Sequence, residues 1–402
     1  MTPARPASSA ITSLVVGSRY MPVYLALALL VVVAAIWAPA TLSSAGLSAI
    51  APFGTFLAIA ALGQMLVIMT GGIDLSTPGT FTLGALIMVG VGQLSDDRIL
   101  IAYLTAVGAA VAIGLLNGIL IGGLGLNALI VTLAVGQIVI GIVNRYYTTF
   151  AVQSPVPPGL SEWTAARFLG VSRIFWIGLV IMLALVLVFR YTVVGRRFQV
   201  VGANPVAATI VGLRVNVNQV AAYVVAAVLY ATAGVLLAAH LGTPGVTIGA
   251  PYLLGPIAAV VIGGASLTGG LASPVSTWAA AFFLAGLNQM MRVMGLPTAL
   301  QYIVFGLVIV GGMVVSGDRI IKGAERVIRN RSGPGNGDER LAAPAGASRS
   351  GPRASAGRLG PRRLNTVSTR EDDDESTTNG SAHGRFGSDG GRLHGRHRRD
   401  GG

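Results

Sequence analysis

The sequence predicts an all-α polytopic membrane protein, with about ten transmembrane helices, some broken or re-entrant, and a disordered C-terminal tail. Three observations predict it. Hydrophobic residues make up 53% of the 402 and charged residues only 11%, against about a quarter charged in an ordinary soluble domain. Acids are nearly absent before residue 330, where only Asp74, Asp96, Asp97, Glu162, Asp318 and Glu325 occur. Apolar runs of near-spanning length recur along that whole stretch.

A spanning helix needs about 20 mostly apolar residues, because it rises about 1.5 Å per residue through about 30 Å of hydrocarbon. Runs that reach or approach this length lie at 23–39, 50–69, 74–92, 99–123, 127–146, 172–190, 219–242, 252–264, 272–294 and 299–316. The first follows Arg5 and Arg19 like a signal peptide, but it is long and lacks a clear small-residue cleavage site, so it reads as a span. The eighth is short and interrupted by Gly255 and Pro256. That is the pattern of a re-entrant or broken helix, tolerated where backbone is buried in protein or lines a cavity.

Basic residues set orientation. With the N-terminus inside, Arg5, Arg19, Arg190, Arg196, Arg197, Arg214, Arg319, Lys322, Arg326 and Arg329 fall on the inner side. Arg98, Arg145, Arg167, Arg173 and Arg292 fall outside, with Arg98 offset by Asp96 and Asp97. The bias favours ten spans with both termini cytoplasmic. The chain then divides into a cytoplasmic N-terminal segment (1–22), a transmembrane domain (23–320) and a basic, largely disordered cytoplasmic tail (321–402). Two loops are long: 147–171 outside, with an amphipathic stretch around Glu162 and Trp163, and 191–218 inside.

Composition also excludes. There is no cysteine, so disulfides and thiolate metal sites are ruled out. The net charge of +13 comes from the tail and from arginines flanking apolar runs, so it does not point to nucleic acid. The only lysine, Lys322, lies outside any Gly-Lys-Ser/Thr context, so the chain has no phosphate-binding loop of the ATPase type. No nucleophile–base set, paired acids or metal-ligand spacing occurs in the spans. The sequence reads as a pore-former without its own energy source, and with no cofactor of its own.

Asp74 is the only acid close to an apolar core, beside Gly71 and Gly72 and before Ser76 and Pro78. An ionisable residue at membrane depth is costly. It either caps a helix starting near Leu75 or contacts what passes through, and span counting places it near the cytoplasmic face, where its cost would be small. Asn117, Asn127, Thr132 and Gln137 are scattered polar groups that either bond between helices or line a path for a hydroxylated solute. His240 reads as a span-end residue. In the inner loop, Asn204 is a good N-cap, Pro205 a good first helical residue and Gly212 a plausible stop. These predict a two-turn helix, either docking another protein through its small residues or lying on the bilayer. Gly71–Ser76 and Gly263–Thr268 echo one another 192 residues apart, which either reflects how commonly Gly-Gly follows a membrane helix, the favoured reading, or pairs spans 2 and 8 as a parallel repeat would.

Several segments together resemble the permease family of ribose, xylose, arabinose and galactoside ABC importers. GGIDLS at 71–76 matches its motif, Asn117-Gly118 and Ile130–Leu133 resemble its NG…FIVTL segment, and 195–215 resemble its GR…GGN..AA..SGI.V segment. Ile257–Leu267 with Gly269-Gly270 resembles IAAVVIGGTSL.GG, and Asp318 matches a terminal acid. The resemblance runs over about 20–320, with departures at Pro78, Asn127, Ala128, Ala203 and Val211 and near Gly255, where the family usually has an acid, that bear on which solute is carried. It implies a bacterial inner-membrane permease for a monosaccharide or small polyol, working as a dimer, a homodimer by expectation. Its partners would be ATP-binding cassette ATPase subunits, which hold the ATP, and an extracytoplasmic sugar-binding protein, in a setting of membrane lipid. Gly202, Asn204, Ala207, Ala208 and Gly212 would form the coupling helix to the ATPase. Asp74, Ser76, Asn117, Asn127, Thr132, Gly263, Gly264 and Ser266 are the candidates for the translocation path or its helix breaks. Three alternatives stay open: a branched-chain amino acid permease of the related class, an ion-coupled secondary carrier, and a scaffold acting through its tail.

Overall fold

The computed structural model describes residues 20–148 and 155–316. The chain divides into two units, Met1–Gly335 and Asn336–Gly402, and every described residue belongs to the first. The N-terminal arginines, part of the 147–171 loop and the tail expected at 321–402 lie outside the described residues.

Each of the ten apolar runs contains a helix. These are α1 (Met21–Trp37), α2 (Ser44–Met69), α3 (Thr77–Gly92), α4 (Ile99–Gly118, prolonged by a π turn over 119–123) and α5 (Ala128–Tyr146). A short helix α6 (Pro158–Ala165) and a hairpin of β1 (Arg167–Phe168) and β2 (Val171–Ser172) precede α7 (Arg173–Tyr191). Then follow α8 (Val193–Ala203), α9 (Pro205–Ile210), α10 (Val215–Leu241), α11 (Leu254–Ile262), α12 (Pro274–Val293) and α13 (Thr298–Ser316). Five of these stretches, 44–69, 96–123, 128–146, 173–191 and 215–241, are long and apolar enough to cross a membrane unaided. The eighth run is indeed short: α11 has nine residues.

Side-chain caps fix several helix starts. The hydroxyls of Ser43, Ser172, Thr192 and Ser273 accept N–H bonds at the starts of α2, α7, α8 and α12, satisfying donors the first turn leaves free. The centre of the bundle is α2 against α10, with Phe56, Leu62, Met65, Tyr223 and Tyr230 wholly buried. Missing side chains bring α3 equally close to α10. A Cβ on Gly84 of α3 would stand 2.7 Å from the Ala231 carbonyl of α10, and one on Gly234 would collide with the Phe81 carbonyl. Apolar lipid gives helices no hydrophobic reason to associate, so close backbone packing has to supply the attraction.

The packing has an internal order. α2 packs on α12 as α10 does on α4, and α2 on α11 as α10 on α3. α3 touches α4 and α5 as α11 touches α12 and α13. Spans 2–5 thus correspond to spans 7–10, a shift of five. An odd shift reverses direction, which makes this an inverted repeat, whereas the sequence echo paired spans 2 and 8. The echo has a local cause: α2 and α11 end in the same way. Gly71 (φ 84°) and Gly264 (φ 82°) are left-handed. The amides of Gly72 and Ala265 reach back five residues to the carbonyls of Val67 and Val260, the closure that lets a helix stop sharply.

Candidate functional site

The connection from α2 to α3 carries the candidate site. After Gly71 the chain leaves the helix and passes through Ile73–Ser76 against the start of α5, with Ser76 already at helical backbone angles. The Leu75 amide donates to Thr132 Oγ1 at 2.9 Å, and the Thr132 hydroxyl faces the carbonyls of Ala128 (2.8 Å) and Ile73 (3.3 Å). Asp74 is 1% exposed. Its Oδ1 accepts from the Ser76 amide at 2.8 Å and the Ser76 hydroxyl at 2.6 Å. Asn117 Nδ2, from α4, donates to Ser76 Oγ at 3.0 Å. On the α2 side, Gln64 is oriented so that its Oε1 accepts from the Asp74 amide (3.1 Å) and its Nε2 reaches the Asp74 carbonyl (3.2 Å) and the Tyr230 hydroxyl (2.8 Å). Three buried atoms here have no hydrogen-bond partner among the described residues: Asp74 Oδ2, Asn117 Oδ1 and the Tyr223 hydroxyl.

This corrects two expectations about Asp74. It does not cap the following helix. That helix starts at Thr77 rather than near Leu75, and Pro78 in its first turn has no N–H to offer. The carboxylate, two residues before the cap position, reaches only Ser76. Nor does Asp74 sit where water reduces its cost; it is enclosed by α2, α4 and α5. A cavity of about 340 Å3 opens beside the break, lined by Thr70, Gly72, Asn216, Gln219 and Tyr223 among others.

The other expected path residues separate. Asn127 is exposed and caps α5, its Oδ1 accepting from Leu129 (2.9 Å) and Ile130 (3.4 Å). Gly263 and Gly264 close the end of α11, and Ser266 Oγ lies 2.8 Å from Thr268 Oγ1 in the next turn. His240 ends α10 with its ring edge-on to Phe53 at 5.8 Å.

The loop 191–218 holds the expected helix, α9, capped by Asn204 Oδ1 on the Ala207 amide at 3.0 Å. Gly212 (φ 80°) ends it, and the Leu213 amide reaches back to Ala208. The small residues divide between two surroundings. Asn204, Ala207 and Gly212 are exposed, but Ala208 and Gly202 are buried within the chain. Gly202, in α8, meets the Met69 carbonyl so tightly that a Cβ there would collide with it, and would stand 2.9 Å from the Gly270 amide. Gly270 N–H itself donates to Met69 O at 2.9 Å. The face α9 presents outward consists of larger residues, Val206, Ile210 (81% exposed) and Val211. In the sequence Val211 stands out only as a departure from the family pattern, and Val206, Ile210, Gln64, Tyr223 and Tyr230 are not singled out at all. For Gln64 a signal existed: a lone carboxamide inside the apolar run 50–69.

The described residues thus form a helical bundle with a broken, polar-lined centre and an exposed apolar loop helix. The chain belongs to the family of permease components described as "Branched-chain amino acid transport system / permease component", which it matches over residues 46–313. It is 34% identical over 266 residues to the ribose import permease protein RbsC of Escherichia coli strain K12, covering 64% of this chain and 81% of that one. It is 30% identical over 301 residues to the autoinducer 2 import system permease protein LsrC of Klebsiella pneumoniae, covering 75% of this chain and 87% of that one. No solved structure matches the chain.

Proposed function

We propose that this protein is the permease subunit of an ATP-driven importer that carries a monosaccharide or similar small polyol across a bacterial cytoplasmic membrane. The observation that carries this reading is the similarity to the ribose and autoinducer 2 import permeases along more than four-fifths of each. The chemistry agrees with it. The groups around the α2–α3 break are hydroxyls, carboxamides and one carboxyl, with no basic side chain among those named above. Such groups suit a neutral, hydroxyl-bearing cargo.

ATP hydrolysis falls to partner subunits, because the only lysine, Lys322, stands in no phosphate-binding loop. The α9 surface of Val206, Ile210 and Val211 is the part offered to such a subunit. Movement there would travel through α8 to Gly202, and from Gly202 into the ends of α2 and α11, as a rigid-body shift. In this reading both termini and α9 are cytoplasmic. Two copies of the chain pair around the path, and an extracytoplasmic binding protein delivers the sugar.

A second reading rests on the family's own description, which names branched-chain amino acids. Uptake of radiolabelled pentoses, hexoses and leucine, in cells with and without this gene, separates the two. Loss of one sugar, restored by the intact gene, supports the sugar reading. Loss of leucine uptake alone overturns it in favour of the second.

A further inference from the structure

At the end of the bundle where α7 begins, α6, the β1–β2 hairpin and α7 enclose a groove of about 450 Å3. Trp163, Phe168, Arg173 and Trp176 form its mouth, and Ile177, Val180 and Ile181 its wall. The mouth is a built arrangement. Leu169 (φ 52°) and Gly170 (φ 78°) turn the hairpin, and Trp176 Nε1 donates to the Phe168 carbonyl at 3.1 Å, fastening it to α7. The Arg173 guanidinium lies 5.7 Å from the centre of the Trp163 ring. It therefore rests on an aromatic face, and among the described residues no acid pairs with it.

These features call for one kind of molecule. A cation without a counter-ion attracts an anion. Indole rings favour the boundary between water and hydrocarbon. The apolar wall continues onto the open face of a spanning helix, where Val180 is 65% exposed. An anionic head joined to a long apolar tail satisfies all three. We propose that the groove binds an anionic phospholipid, with its phosphate on Arg173, its glycerol region between Trp163 and Trp176, and an acyl chain along Ile177, Val180 and Ile181. Exposed Arg167 and exposed Glu162 flank these residues in the chain, one of each sign, and neither lines the groove. A bound lipid would hold α6, the hairpin and α7 together as one wall. A soluble anion would leave the apolar wall uncovered.

Native mass spectrometry of the full-length protein in detergent tests this, with phosphatidylglycerol or phosphatidylcholine added. Wild type should retain phosphatidylglycerol preferentially. Arg173→Gln should lower that retention about fivefold, the equivalent of about 1 kcal/mol for one basic residue at a membrane surface. Val180→Trp, which fills the wall while leaving the charge, should lower it too. Unchanged melting temperatures confirm that both variants are folded. Equal retention of the two lipids, or retention unaffected by both substitutions, overturns the proposal. So does a change in subunit stoichiometry with the lipid count unaltered, which would give the groove to a second copy of the chain.

Discussion

Gly202 closes against the main-chain carbonyl of Met69 with no room for a side chain between them. One glycine thus seats the inner loop directly on the end of the central helix, beside the hydrogen bond that ties Gly270 to the same carbonyl. Gly202→Ala should push α8 off this seat, at a cost of about 1–3 kcal/mol from overpacking. In reconstituted transporter, uptake is expected to fall at least about tenfold while ATP hydrolysis continues. Parallel uptake and hydrolysis assays decide it, and normal uptake would mean that the loop acts without this contact.

The two faces of α9 should respond differently to substitution. Ile210→Glu alters an exposed residue, so the permease's own melting temperature should hardly move, but co-purification with the ATPase subunit should drop. Ala208→Leu places bulk where the side chain is wholly buried. It should destabilise the loop and uncouple transport. Pull-down and thermal denaturation of both variants make the comparison; an unaffected pull-down for Ile210→Glu would remove α9 from the interface.

Asp74 supports a third expectation. Asp74→Ala removes the acceptor used by the Ser76 amide and hydroxyl, and stranding buried donors costs about 1–3 kcal/mol. Asp74→Asn keeps that acceptor and puts a donor where Oδ2 now has no partner. It should be less harmful than the alanine, because neither Ser76 donor is stranded and Asn117 Oδ1 nearby is an acceptor without a partner. Chemical denaturation in detergent measures both, and an asparagine as harmful as the alanine would contradict the network described.

At Gly71 and Gly264, alanine must adopt a left-handed backbone, which costs about 1–2 kcal/mol for a residue with a Cβ. A comparable loss in thermal stability is expected from each single variant, since both residues make the same turn. A silent Gly264→Ala would show that the second break relaxes where the first does not.

The sequence made local features legible and left distant ones hidden. All ten apolar runs were readable because hydrocarbon thickness imposes a length on each. The α9 boundaries were readable because Asn204, Pro205 and Gly212 act on their own neighbours. α8 went unseen: with Arg196 and Arg197 inside it, the segment looks like a plain basic loop. The groups gathered around the Ile73–Ser76 segment were half visible. Asn117 and Thr132 stood out as polar groups in apolar runs, but nothing in chain order places them beside residue 74, or Gln64 beside its backbone. The inverted repeat was obscured by the Gly-Gly echo, which reports how two helices end and not which spans correspond.

Nine residues of helix span only about 14 Å, less than half the hydrocarbon thickness. Most of α11, from Gly255 to Ile262, is buried against the rest of the chain. During synthesis this segment therefore cannot partition into lipid as a free-standing unit. Its place in the membrane depends on α2 and α12, on which it packs, so the shortest of the ten span helices is held there by protein and not by lipid.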